Sequence, residues 1–185
     1  MITDSNYLNY SYAIFEIAQE DNKISTFNKN AHDFLHIIET NEEIVDYLSA
    51  DETLLAFKHK DDLLDKILKG MNINFINAIK LIVIDKKSRF LPQILQNLIK
   101  KLNIKEDILE GIIFTTKKIP AKTIKQFEEK ISKRKNKKVV LKNKIDPEII
   151  SGFKIVFDDH IIENNIESQL KDLKEQLLQR GAYGD

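Results

Sequence analysis

The apolar residues of this 185-residue chain change period once, near residues 103–108, and that change limits the fold more than any other feature. Before it, apolar side chains recur at spacings of three and four, the mark of helices with one buried face. After it, apolar and polar residues alternate in short runs, the mark of half-buried strands. The two patterns bury their faces in different layers, so the expected architecture is α plus α/β. A six-helix bundle spans residues 1–105, and a small mixed α/β domain with a C-terminal helix spans residues 106–185.

In the first part, Asp4 or Ser5 suits the cap of a helix that runs to about Glu20. A second helix, about Asn22 to Thr40, carries Ile24, Phe27, Ala31, Phe34, Leu35 and Ile38 as a single stripe. Shorter pieces follow around Ile44 to Leu48, around Leu54 to Phe57, and around Leu63 to Leu68, the last stopped by Gly70. Asp61, Asp62 and Asp65 are placed in the first turn of that last piece, where carboxylates meet the positive end of the dipole. The fifth long segment is Asn72 to Lys86, and the sixth starts at Ser88 with Pro92 in its first turn.

In the second part, Leu109 to Thr116 reads as a strand, Pro120 to Arg134 as a helix, and Val139 to Leu141 as a second strand. Ile145-Asp146-Pro147 reads as an extended lead-in and turn, because the residue before proline is driven out of the helical region. Gly152 opens a third strand in which Phe153, Ile155 and Phe157 share one face. Asp158-Asp159-His160 reads as a solvated turn, and Ile161-Ile162 resumes the strand pattern. Ile166, Leu170, Leu173 and Leu177 then stand four, three and four apart, as on a last helix ending near Gly181.

Two helices carry more apolar surface than one core needs. On the first, Tyr7, Leu8, Tyr10, Tyr12, Ala13, Ile14, Phe15, Ile17 and Ala18 leave only Asn9, Glu16 and Gln19 as a polar strip. The fifth, from Ile73 to Ile84, is apolar nearly all round. Either both helices are central and fully surrounded, or their outer faces form an apolar groove for an amphipathic helix of another protein. The spacing alone leaves both open.

Chemistry is scarce in the chain. With no cysteine, disulfides and thiolate chemistry are excluded, and a reducing compartment fits. His32 and His36 are four apart but on the solvent flank, without a third ligand in the pattern. Five dispersed glycines make no phosphate loop, and no nucleophile stands in a triad-like pattern. The longest apolar run, Leu81 to Ile84, is far short of the roughly 20 residues a membrane helix needs. Net charge is zero, yet Lys117 to Lys144 holds twelve basic residues against two acids, Glu128 and Glu129. Three readings fit that run: a solvated face enriched by a general bias to lysine, a docking surface for an acidic protein, or an RNA-binding surface. Phe127 is its single aromatic, and no Gly-x-x-Gly clamp accompanies it.

Tyr10-Ser11-Tyr12-Ala13-Ile14-Phe15-Glu16-Ile17-Ala18 resembles the first-helix motif of the delta subunit of F-type ATP synthase, the family of the oligomycin-sensitivity-conferring protein, with Ser11 replacing an alanine. Asn77 to Pro92, with Leu91-Pro92 after Lys86-Lys87, is similar to that family's fifth and sixth helices. Ile145-Asp146, Ile149-Ile150, Gly152, the alternating strand and the leucine-spaced last helix resemble its C-terminal signature. Glu163-Asn164-Asn165 stands where the family has Asp-Gly-Ser, and Glu167 where it has a basic residue. The resemblance implies a non-catalytic stator subunit without cofactor or metal, linking the catalytic head to the peripheral stalk.

It further implies that an N-terminal helix of the α subunit docks on the first and fifth helices. Tyr10, Ala13, Ile14, Ile17, Ile79, Ile82 and Val83 are the expected groove residues. The C-terminal end of the b subunit is expected on Ile166, Leu170, Leu173 and Leu177, with Pro147 and Gly152 in structural roles. No direct nucleic-acid contact is implied, and membrane contact comes only through the complex, at the cytoplasmic face of the cell membrane. The rival reading is an RNA-binding or ribosome-associated accessory protein that uses residues 117–144.

Overall fold

A computed structural model describes residues 7–50, 54–157 and 161–165. The chain divides into two compact units, Met1–Glu106 and Asp107–Asp185.

The first unit contains helices α1 (Tyr7–Glu20), α2 (Ile24–Thr40), α3 (Glu43–Ser49), α4 (Leu54–Ile67), α5 (Ile73–Ile84) and α6 (Leu91–Lys105), with a 3-10 turn at Ser88–Phe90 leading into α6. The stripe of α2 faces α6. Phe27, Ala31, Phe34 and Ile38 meet Ile94, Leu95, Leu98 and Leu102 in one buried cluster, with the Phe27 ring edge-on to Phe75 of α5 at 5.9 Å. A polar tie fixes the far end of this pair, where the buried Asn28 amide donates to Asn103 Oδ1 at 2.9 Å and to Glu106 Oε2 at 2.8 Å. Ser11 is also wholly buried. Its hydroxyl lies 2.7 Å from the Leu8 carbonyl and 3.0 Å from Asn97 Oδ1 on α6, so a polar partner accompanies serine where an alanine would need none.

The expected break between Phe57 and Leu63 does not exist, because α4 runs through it. Residues 58–62, Lys-His-Lys-Asp-Asp, contain no helix breaker, and Lys60 points inward to donate to the Leu48 and Ala50 carbonyls at the C-terminal end of α3. Asp61 and Asp65 therefore lie in mid-helix rather than in a first turn. One turn apart, they hold Lys80 of α5 at 2.9 and 2.7 Å, and Asp65 and then Asp61 keep its amine above the usual lysine range. Gly70 takes φ +87°, a left-handed position after α4, and Asn72 caps α5 by accepting from the amides of Asn74 at 2.8 Å and Phe75 at 3.3 Å. Asn72→Ala is expected to cost about 1 kcal/mol of stability, read as a lower denaturant midpoint at unchanged slope.

The second unit contains β1 (Ile108–Thr115), α7 (Ala121–Lys135), β2 (Lys138–Ile145), β3 (Gly152–Phe157) and β4 (Ile161–Asn165) in a sheet of order β2-β1-β3-β4. β1 and β2 are parallel, as the helical crossover through α7 requires, and β1–β3 and β3–β4 are antiparallel. Ile113, Val139, Leu141, Ile155 and Phe157 face α7, which closes the core with Ile131 and with Phe127 against Phe153 at 4.7 Å. β2 extends well past the expected Val139 to Leu141, because Lys142-Asn143-Lys144 continues the alternation. Asn143 turns inward, donating to the Ile113 carbonyl and Thr115 Oγ1 and accepting from the Ile119 amide. Pro147 sits in the turn after β2, behind Asp146, whose carboxylate accepts from the Glu148 amide at 3.0 Å. Gly152 has φ +94°, a conformation that favours glycine. Asp4, Ser5, the Asp158-Asp159-His160 turn and the expected last helix with Ile166, Leu170, Leu173, Leu177 and Gly181 lie outside the described residues.

Candidate protein-docking groove

α1 and α5 lie side by side and run antiparallel, as two hydrogen bonds between them require. Near the start of α1 the Tyr10 hydroxyl donates to Asp85 Oδ2 at 2.7 Å, just past the end of α5. Beyond the end of α1, Asp21 Oδ2 accepts from Asn74 Nδ2 at 2.7 Å, at the start of α5. Between these ties lies an open groove of about 430 Å³. Its walls are two stripes of helical spacing: Tyr10, Ala13 and Ile17 on α1 with Asp21 just past its end, and Asn74, Ala78 and Leu81 on α5, with Ile14 beneath. Ala13 and Ala78 are the small members, and they leave room for another backbone to approach. Eleven residues separate the ties along α1, about 16 Å of axis, enough for roughly three turns of a docked helix.

The expected groove residues divide. Tyr10, Ala13, Ile14 and Ile17 line the groove. Ile79 and Ile82 are 0% exposed and Val83 is 5% exposed, so all three are core side chains. The reason is rotational: in α5 the stripe of Phe75, Ile79 and Ile82 turns inward, and the next stripe round, Asn74, Ala78 and Leu81, faces the groove. Neither open reading of the surplus apolar surface holds alone. Each helix is partly core, yet Leu81 and Ile84 of α5 remain 51% and 52% exposed, which a fully surrounded helix would not allow. Asn74, Asn77, Ala78 and Leu81 were missed because α5 is apolar on both stripes. The two asparagines, which with Lys80 are the polar residues of this segment, were the signal that marks its groove side.

Tyr12, 54% exposed, belongs elsewhere: the Lys101 ammonium of α6 sits 3.3 Å from its ring centroid. In the lysine-rich run, the one aromatic, Phe127, is half-buried and packs edge-on against Phe153 at 4.7 Å as part of the core cluster. Both acids are accounted for differently: Glu128 accepts from the Leu141 amide at 2.8 Å, and Glu129 is exposed among lysines. Among the described residues no group of three or more His, Asp or Glu side chains could hold a metal ion, and no helix is long and apolar enough to cross a membrane.

Comparison with known proteins agrees along the chain. The family model of the ATP synthase delta (OSCP) subunit matches residues 8–177. ATP synthase subunit delta of Metamycoplasma arthritidis is 34% identical over 172 residues, 93% of this chain and 95% of the relative. The Mycoplasma mobile protein of the same name is 32% identical over 181 residues, 97% of this chain and 99% of the relative. A chain in the cryo-EM structure of the Toxoplasma gondii mitochondrial ATP synthase hexamer superposes with a TM-score of 0.69 at 14% identity, covering 93% of this chain and 97% of that one, a likeness of fold.

Proposed function

Because this chain belongs to the ATP synthase delta (OSCP) family, whose members are non-catalytic stator subunits, we propose that its α1–α5 groove is the seat of the catalytic head. In this reading the first unit works as a six-helix bundle, and the amphipathic N-terminal helix of an α subunit lies along Ala13, Ile17, Ala78 and Leu81. The second unit holds the C-terminal end of the b subunit, with Ile166, Leu170, Leu173 and Leu177 as the assigned contact stripe. The subunit then stands at the cytoplasmic face of the cell membrane as a peripheral part of the complex.

The observation that carries this reading is the groove itself, an apolar trough between two helices tied at both ends. A stator must hold while the rotor turns inside the head, so its grip needs a low dissociation rate rather than chemistry. Apolar burial along a preformed groove supplies that, because little ordering is required on the receiving side. Exposed ion pairs would supply less, being screened by salt.

The test is calorimetric titration of the full-length chain with a peptide of the first 20 or so residues of the same organism's α subunit. Saturable binding is expected in the unaltered chain and a loss of at least tenfold in Leu81→Asp, since a charge in the apolar seam must be desolvated on docking. Equal binding by both would remove the groove from the interface.

A further inference from the structure

Charge is not evenly spread along this neutral chain. Twelve of its 29 basic residues and two of its 29 acids fall between Lys117 and Lys144, so the remainder is net acidic. A general bias to lysine raises the count everywhere and does not produce that segregation. The fold gathers much of the run on one surface. Ile124, Phe127 and Ile131 turn α7 toward the sheet, and Lys122, Lys125, Lys130 and Lys133 stand exposed on the opposite side with Gln126 and Glu129. From Lys122 to Lys133 is about 16 Å of helix axis. Arg134, Lys135, Lys137 and Lys138, all exposed, extend the positive surface past the end of the helix. None of these eight cations is in an ion pair with a described residue; the pair formed within the run is Lys142 with Glu110 at 2.7 Å, between β2 and β1.

Chemistry selects among the polyanions that such a surface attracts. Single-stranded RNA is held largely by stacking on aromatic rings, and the run's one aromatic, Phe127, packs on the core side of α7 rather than among the lysines. A helix that lies in a membrane surface needs an apolar face to insert, and the exposed large apolar residues of this unit, Ile145, Ile150 and Ile161, are not on α7. Protein carboxylates remain. Lysine ammonium groups are point charges that meet them without a fixed geometry, and carboxylates one turn apart on a helix repeat at about 5.4 Å, the repeat of the lysines themselves. We propose that the outer face of α7 is a docking surface for an acidic helical segment of another protein, whose carboxylates lie along Lys122, Lys125, Lys130 and Lys133. Glu129, the one acid on this face, requires a neutral or basic residue opposite it and so restricts which acidic segments fit. Exposed charge pairs are individually weak, and their contribution here is to steer and orient the partner. The surface is separate from the α1–α5 groove and from the stripe assigned to the b subunit, so it stands whether or not those readings hold.

The test is an amide-shift titration of the full-length chain at about 150 mM salt, where weak long-range attraction is screened. The probes are a peptide of five Glu-Ala-Ala-Ala repeats, a uridylate oligomer of equal charge, and vesicles containing phosphatidylglycerol. The peptide is expected to shift the amides of α7 from Lys122 to Lys133 saturably, and to bind more tightly than the oligomer or the vesicles. A variant carrying Lys125→Glu and Lys133→Glu, both at exposed positions, is expected to keep its circular dichroism spectrum and to bind the peptide at least tenfold more weakly. No saturable shift from the peptide, shifts away from α7, or equal binding by the folded variant would overturn the proposal. Tighter binding of the uridylate oligomer or of the vesicles would overturn it in favour of that ligand.

Discussion

Ile79→Asp unfolds the first unit, whereas Leu81→Asp, two residues along the same helix, leaves it folded. Ile79 is 0% exposed in the cluster shared by α1, α2, α5 and α6. Removing its side chain forfeits about 2–5 kcal/mol, and an unpaired carboxylate in the same place adds several more. The sum reaches the lower part of the about 5–15 kcal/mol that holds a domain together, enough to unfold a marginally stable unit. Leu81 already has half its side chain in water, so its replacement changes stability by roughly 0.5 kcal/mol. Far-ultraviolet circular dichroism separates the two: a large loss of helix for Ile79→Asp and a native spectrum with a native melting curve for Leu81→Asp. A native spectrum for Ile79→Asp would mean that α5 is rotated from the placement described above. The contrast governs how docking can be probed, since aspartate at Ile14 or Ile79 would abolish binding by destroying the fold.

The second large effect is expected at Gly111, in the middle of β1. A Cβ there would stand 2.6 Å from two carbons of the Phe157 ring and 2.9 Å from the Val156 carbonyl oxygen on the paired strand β3. Phe157 is 3% exposed, within the buried cluster of Ile113, Ile131, Val139, Leu141 and Ile155. Gly111→Ala is expected to destabilise the second unit by about 1–3 kcal/mol, and Gly111→Val by more, as lower denaturant midpoints. In the Phe157→Ala background the alanine at 111 should cost measurably less, because the ring contact is gone and only the carbonyl contact remains. Additive costs would show that the ring is not what excludes a side chain there.

The mixed α plus β class was legible because the apolar period changes from helical to alternating, and the individual strands followed where large apolar residues alternate, as Phe153, Ile155 and Phe157 do. What stayed hidden has particular causes. The charged stretch 58–62 looks like a loop by composition, but nothing in it stops a helix, and the inward lysine that caps α3 is visible only in three dimensions. In α5, periodicity could not distinguish Ile79 and Ile82 from Ala78 and Leu81, since both stripes are apolar; the inward stripe shows itself only in three dimensions, where Phe75 meets Phe27 of α2, far away in sequence. Gly111 gave no signal because its constraint comes from Phe157, 46 positions later.

Among the described residues β2 lies at an edge of the sheet, paired with β1. An edge strand offers outward peptide groups that a second copy of the same chain could extend, and on β2 one of them, the Leu141 amide, already donates to Glu128. Lys138, Lys142 and Lys144 share one face of this strand and are exposed. Laying a second β2 alongside would bring like charges across from one another, which disfavours the pairing.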